Sequence, residues 1–348
     1  MVIALAEAGH EVCFLPVTFP SDHWEEIRKT LAPDIEVALN IGAAGLGAFV
    51  LERAAWITHL LVSRPHNMSF LRPIWRTHPD LFKRWHKVYD AEAIFSYRDA
   101  TLAKLKGNPY NETKLSKSLQ DELSLAHGVD AITAVSTHEA ESFRKLLKTP
   151  TEVLGHQIEI RATRTEFERR QGILFVGALY EDNTPNTESM VWFIDEVMPR
   201  LKERFQADGN LHLDLVGHCK APAILERQAP WLRIHGPVDD LGPYFEQAKL
   251  FVVPTRFAAG MPHKAHEAAS RGLPMVVSSL IASQLAWDHR EVKIADQPED
   301  FANACAELMT DQDQWQGLRD RALASIQRDC DPKQFRHALF KAMRLTPA

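Results

Sequence analysis

The sequence predicts an α/β protein of two domains, each built on a parallel sheet with helices on both faces. Three observations predict it. Short apolar runs alternate with amphipathic segments along the whole chain, the pattern of parallel strands joined by helical crossovers. The 348 residues suit two domains of ordinary size, each able to bury its own core. A charged, weakly periodic stretch from about Leu147 to Gln171 separates two such series and reads as a linker. The expected bounds are 1–160 for the first domain, 161–330 for the second, and 331–348 for a C-terminal helix crossing back to the first.

The elements follow in order. Val2 to Ala8 reads as a helix closed by Gly9, Glu11 to Pro16 as a strand, and Ser21 or Asp22 as the cap of a helix running to Leu31. Ile35 to Leu39, Thr58 to Ser63, Trp85 to Asp90 and Ala131 to Val135 read as strands. Leu46 to Trp56, Ala93 to Lys106 and Glu112 to His127 read as helices. Ser136 and Glu139 have the spacing of a capping box. The second half repeats the theme with strands at Ile173 to Val176, Leu211 to Val216, Trp231 to Ile234, Leu250 to Val253, Pro274 to Val277 and Glu291 to Ile294. A long helix through Met190, Trp192, Phe193, Val197 and Leu201 follows the first of these, a helix His263 to Ser270 precedes Gly272, and the end of the chain is helical. The chain opens on a helix where a doubly wound domain has a strand, and that first strand is normally central in the sheet. Met1 is therefore expected to be an internal methionine, with a strand upstream of it.

Composition excludes several classes. A net charge of -6 gives no global field for nucleic acid. Arg161, Arg164, Arg169 and Arg170 are read as a solvated face of the linker, with a local basic patch as the alternative. The four cysteines form no C-x-x-C pair, which points to reduced thiols and a cytoplasmic protein, at the inner face of the membrane if it touches one. No apolar run reaches the ~20 residues of a membrane span. Arg72, Trp75, Arg76, Lys83, Arg84 and Trp85 could touch a membrane surface, or form an ordinary mixed surface of a helix and a loop.

The strongest chemical signal is Arg256 to Pro274, RFAAGMPHKAHEAASRGLP, directly after a strand. A strand runs into a glycine loop that opens a helix, and Pro262 suits the first helical turn. The free N–H groups of that turn, with the helix dipole, suit a diphosphate. Lys264 in the same turn can neutralise phosphate charge. Glu267 lies on the same face and could accept hydrogen bonds from ribose hydroxyls. The alternatives are a surface pair of Lys264 and Glu267, and a metal site of His263, His266 and Glu267, whose spacing is not H-E-x-x-H.

This block resembles the nucleotide-sugar motif of family 4 glycosyltransferases, through Gly260, Lys264, Glu267-Ala268 and Gly272-Leu273-Pro274. Two further segments, ILFVGALYEDNTPNTESMVWF from Ile173 and RIHGPVDDLGPYFEQAKLFVVP from Arg233, are similar to that family as well. The resemblance covers Gly172 to Leu285 well; before it, VSRPHN, VYDAEAIFSYRD and AITAVSTHEAE are weaker matches. It implies the GT-B fold, two Rossmann-like domains facing across a cleft. It implies sugar transfer from an NDP-sugar to a glycan or lipid-linked acceptor, with retention at the anomeric carbon and no metal. Glu267 would hold the ribose, and Lys264 and Arg256, with amides near Gly260 and Met261, the diphosphate. Gly177 and its loop would pass beneath the diphosphate, His263 would line the donor site, and Gly236, Pro237 and Val238 would lie near the base. The sequence departs from the family at Ala259, where a glutamate is usual, and in the loop Ala178 to Asp182, which lacks the usual basic pair.

On the acceptor side Asp90, Glu92, His66, Ser136 and His138 are singled out, with Arg98 beside them. Asp90 and Glu92 end a strand, so acceptor binding or proton handling stands against strand-end turn chemistry. Ser136 reads first as a helix cap, and His138 as exposed. Asp239 and Asp240 read as a helix start, and Asp311 and Asp313 have D-x-D spacing but fall between helices. Two other readings compete: another GT-B reaction such as sugar-nucleotide epimerisation, and a catalytically degenerate sugar-nucleotide-binding protein or partner subunit.

Overall fold

The structure is a computed structural model and describes residues 1–17, 28, 30–205 and 211–346. The expected helix capped by Ser21 or Asp22 lies outside the described residues for most of its length. The chain divides into two compact units, one of Met1–Ser96, Tyr110–Gly155 and Pro332–Ala348, the other of Tyr97–Pro109 and His156–Asp331.

In the first unit four parallel strands form a sheet in the order β3 (His59–Ser63), β4 (His86–Asp90), β5 (Ala131–Ala134), β6 (Thr151–Val153). β1 (Cys13–Phe14) and β2 (Glu36–Val37) pair with each other in a separate two-stranded sheet and are far shorter than their apolar runs suggest. β6 lies in the stretch read as linker; its Thr151 is buried. The helices Val2–Glu7 and Pro332–Met343 bury Ala4, Leu5, Leu339, Phe340 and Met343 with Val88 and Ala131 of the sheet. His86 Nε2 donates to the carbonyl of Ala342 at 2.8 Å, and Lys341 pairs with Glu152 at 2.9 Å. The helix predicted from Leu46 to Trp56 runs instead from Gly42 to Glu52.

The basic and aromatic surface read between Arg72 and Trp85 is corrected. Trp85 is core, at 3% exposure. Trp75 stacks on Phe82 with ring centres 5.1 Å apart. Arg72 lies over Trp75 and donates to the backbone carbonyls of Leu125 and His127. These side chains hold one helix to its neighbours, and only Arg76, Lys83 and Arg84 of the group are exposed. Among the described residues no helix is long and apolar enough to cross a membrane.

The second unit is a six-stranded sheet in the order β12-β11-β10-β7-β8-β9, every pair parallel. Its strands are β7 (Ile173–Val176), β8 (Leu213–Val216), β9 (Leu232–Gly236), β10 (Leu250–Val253), β11 (Met275–Val277) and β12 (Lys293–Ile294). The central strands are apolar at every position because both faces are covered. Ile173, Phe175, Leu213, Leu250 and Val252 pack on one side with Met190, Val197 and Phe301. Leu174, Phe251, Val253 and Met275 pack on the other with Phe245, Ala265, Ala269 and Trp315. The long helix after β7 contains a π turn at Phe193–Val197, just before Pro199. Proline has no N–H to donate to the preceding turn, and widening that turn accommodates the loss.

The basic linker face is also corrected. Arg161, Arg164 and Arg169 are exposed, but Arg170 is buried to 1%. Its guanidinium donates to the carbonyls of Thr165, Phe245 and Ala248 at 2.8, 2.8 and 2.9 Å and to the Thr163 hydroxyl at 2.6 Å. A planar five-donor group suits such divergent carbonyls. Arg319 reinforces the same segment, donating to Thr163 and to the carbonyl of Gly272.

Candidate active site

The strand order of the second unit sets where a ligand belongs. From β7 the chain winds outward through β8 and β9, and from β10 the other way through β11 and β12. The connections leaving β7 and β10 therefore part at their carboxyl ends, and such a switch point opens a crevice. Gly177 follows β7, and Arg256 to Lys264 follow β10. Gly177, Arg256, Gly260 and Met261 thus lie on the connections that leave these two strands, His263, Lys264 and Glu267 on the helix that follows, and Gly236 and Val238 at the end of β9.

At the ends of β7, β8 and β9 the backbones approach closely. Gly177 N donates to Val216 O at 2.9 Å, and Gly217 N to Gly236 O at 2.8 Å. A Cβ on Gly217 would stand 2.6 Å from the carbonyl oxygen of Gly177, and Gly217 also has φ +126°, so only glycine fits. Gly236 ends β9 with φ 70°, and Val238 packs against the core beside it. In the sequence Gly217 reads only as the end of a strand, because its steric demand comes from a loop distant in sequence.

Gly260 turns the loop after β10 with φ 80°. The helix His263–Ser270 then starts with Pro262 as its N-cap, outside the first turn where the sequence placed it. Lys264 does not extend into solvent or pair with Glu267. Its ammonium donates to Asn186 Oδ1 and lies 4.5 Å from the centre of the Phe175 ring. Burial pushes its pKa down to about 7. Arg256 lies over the Trp192 ring, 5.7 Å from its centre. Glu267 keeps a partly exposed carboxylate 3.7 Å from Arg271. The surface pair of Lys264 and Glu267 is therefore not formed.

His263 is exposed and stacks on His156 with ring centres 3.4 Å apart. His156 Nδ1 and His266 Nδ1 are 3.1 Å apart and share one proton between them. Burial keeps both neutral, pushing His156 down to about 3 and His266 to about 4. These rings pair with one another, and among the described residues no group of His, Cys, Asp or Glu is arranged to hold a metal. Asp240 accepts from Gly242 N at 2.8 Å and Asp311 from Gln314 N at 2.9 Å, so both serve helix starts.

In the first unit Asp90 ends β4, and burial raises its pKa. It bonds Ser63 Oγ at 2.7 Å and Thr133 Oγ1 at 2.6 Å, while Ser63 Oγ also meets Glu92 at 2.5 Å. One hydroxyl hydrogen serves one carboxylate at a time, so Asp90 and Glu92 compete for that of Ser63. Glu92 has φ 52° at the apex of a turn closed by Ala93 N to Ala91 O at 2.6 Å. Arg64, with φ 74°, donates to it at 2.5 Å. Two non-glycine residues in the left-handed region at strand ends mark a place where the fold holds strain. Ser136 caps its helix through Glu139 N at 3.2 Å. The capping box is half formed, because the Glu139 carboxylate accepts from Ile94 N instead. His66 and His138 are exposed on their helices.

Residues 170–311 match the sequence model of the Glycosyl transferases group 1. Over that segment the chain is similar to this family. HepE of Anabaena, solved with UDP and glucose, has a TM-score of 0.72 at 14% identity, covering 98% of this chain and 94% of HepE. Sucrose-phosphate synthase of Thermosynechococcus elongatus gives 0.69 at 16% identity, over 99% of this chain and 90% of its own. TarM gives 0.65 at 11% identity over 86% of this chain, which spans 58% of TarM's length. At these identities the likeness is one of fold, and the fold is GT-B, with two Rossmann-like domains. No curated protein matches the sequence.

Proposed function

We propose that the protein transfers a hexose from a nucleoside-diphosphate sugar to a glycan or lipid-linked acceptor, with retention of anomeric configuration. The observation that carries this reading is the convergence of Lys264, Arg256, Gly177 and the start of the helix His263–Ser270 on the switch point of a Rossmann-ordered sheet. In the reaction the bond from the anomeric carbon to the diphosphate breaks and one to the acceptor oxygen forms. The diphosphate leaves with the electron pair, and the acceptor hydroxyl loses its proton. Negative charge grows on the leaving oxygen, where fixed cations and amides stabilise it most. Lys264, Arg256 and the amides near Gly260 and Met261 take that role, with no metal ion in the scheme. Glu267 holds the ribose, and Gly236 and Val238 lie towards the base. Asp90, Glu92, His66, Ser136 and His138 take the acceptor. HepE was solved with UDP and glucose, which supports a UDP-sugar as the first donor to test. The paucity and spacing of cysteines support a cytoplasmic location.

The test is calorimetric binding of UDP, GDP and their sugars to the chain and to Glu267→Ala. Two charge-assisted hydrogen bonds to the ribose are worth about 1.5–3 kcal/mol each, so the variant should bind at least about tenfold more weakly. Equal affinity in the variant would remove Glu267 from the site. Tight binding without turnover on any acceptor would make the protein a sugar-nucleotide binder instead.

A further inference from the structure

Lys264 and Asn186 stand 78 positions apart in the chain, yet their side chains meet at the switch point. The lysine ammonium donates to Asn186 Oδ1, and Asn186 Nδ2 donates to the carbonyl of Ala178 at 2.9 Å. The second bond fixes the amide's orientation. With Nδ2 committed to a carbonyl, the oxygen is the atom turned to the lysine. Phe175 closes the other side of the ammonium. Asn186 is itself anchored, because it follows Pro185 in the first turn of the helix Pro185–Trp192.

We propose that Asn186 is a positioning residue of the donor site, holding the Lys264 ammonium for the diphosphate and tying down the Ala178 loop beneath it. This rests on the donor-site reading above. A free lysine side chain has many rotamers, and this contact removes part of that freedom before a ligand arrives. A neutral amide suits the task better than a carboxylate. It orients the cation without neutralising it, so the positive charge remains for phosphate. An aspartate of the same shape would keep the bond to Lys264 but compete with the ligand for it and lose the bond to Ala178. The elements packed around the lysine carry Glu188 on the Asn186 helix, Glu181 and Asp182 in the β7 loop, Arg256 after β10, and His263 and Glu267 on its own helix. His266, on that same helix, is engaged by His156.

The experiment is calorimetric titration of UDP and GDP into the full chain, Asn186→Asp and Asn186→Ala, across pH values from about 6.5 to 9.5, which cover the rise from the Lys264 pKa of about 7 towards that of an ordinary lysine. Thermal unfolding of each variant is followed alongside. Wild-type affinity should fall as pH rises above about 7, where Lys264 loses its proton. Asn186→Asp should bind about tenfold more weakly at neutral pH, with the alkaline decline displaced upward by about one unit or more, because a carboxylate raises the lysine's pKa. Asn186→Ala should also bind about tenfold more weakly, without that upward displacement. A residue of purely structural importance would lower the unfolding temperature and leave the pH profile in place. Wild-type binding with unchanged affinity and profile in both variants would overturn the role of Asn186 and leave the donor site standing. A wild-type chain that binds neither nucleotide at any pH would remove the donor-site reading, and this inference with it.

Discussion

The residues around the helix His263–Ser270 show how side chains buried beneath a proposed site shape it. His156 and His266 are buried against each other through one shared proton. An ordinary histidine protonates near pH 6.5, but burial holds these at about 3 and about 4. The unfolded chain therefore takes up protons that the folded chain cannot. Their stabilising effect is complete above pH 6.5, declines as pH falls, and stops declining at about 4 for His266 and about 3 for His156. Each contributes a slope of about 1.4 kcal/mol per pH unit within its window. Urea unfolding of the second unit should thus lose roughly 3 kcal/mol or more between about pH 7.5 and 5. His156→Gln, which leaves His266 Nδ1 a partner, should roughly halve the loss. An unchanged pH slope in that variant would show that other groups carry it. Neither His156 nor Asn186 was legible in the sequence. Lys264 and Glu267 announce themselves by their place in a strand, loop and helix, which is local information. Asn186 and His156 matter only because the fold brings them 78 and 110 positions along the chain to that helix.

At the scale of elements, apolar runs identified β7, β10 and β11 because a strand covered on both faces has no polar position to interrupt it. The same signal overstated β1 and β2, where the run is apolar but the pairing extends over two residues each. The charged stretch before β7 failed in the opposite direction. Charge suggested solvent, but Arg170 spends its donors on carbonyls at the end of the helix Gly242–Gln247 and is lowered to about 10 by burial. Arg170→Met would leave those buried carbonyls without donors, at about 1–3 kcal/mol apiece. The variant should destabilise the second unit by about 3 kcal/mol or more, read from its urea midpoint. Lys should rescue little, since one ammonium cannot span the same acceptors. A loss below about 1 kcal/mol would mean that water replaces the guanidinium.

At the scale of the whole molecule, chain order and spatial unit do not coincide. The last helix, Pro332–Met343, belongs to the unit that contains the first residues of the chain. It is a structural part of that unit, because Leu339, Phe340 and Met343 are buried against β4, β5 and the opening helix. Burying three side chains of that size contributes about 1.5–3 kcal/mol each, a sum of the same order as the 5–15 kcal/mol that holds a whole domain folded. Removing 332–348 should therefore unfold the first unit, while the second, whose two core layers contain none of these residues, keeps its own transition. Calorimetry of the truncated chain should show the loss of one transition and the survival of the other. A single unfolding transition lost as a whole would show that the two units fold cooperatively. If so, the helix stabilises the second unit as well, and the nucleotide affinity proposed for that unit should fall with it.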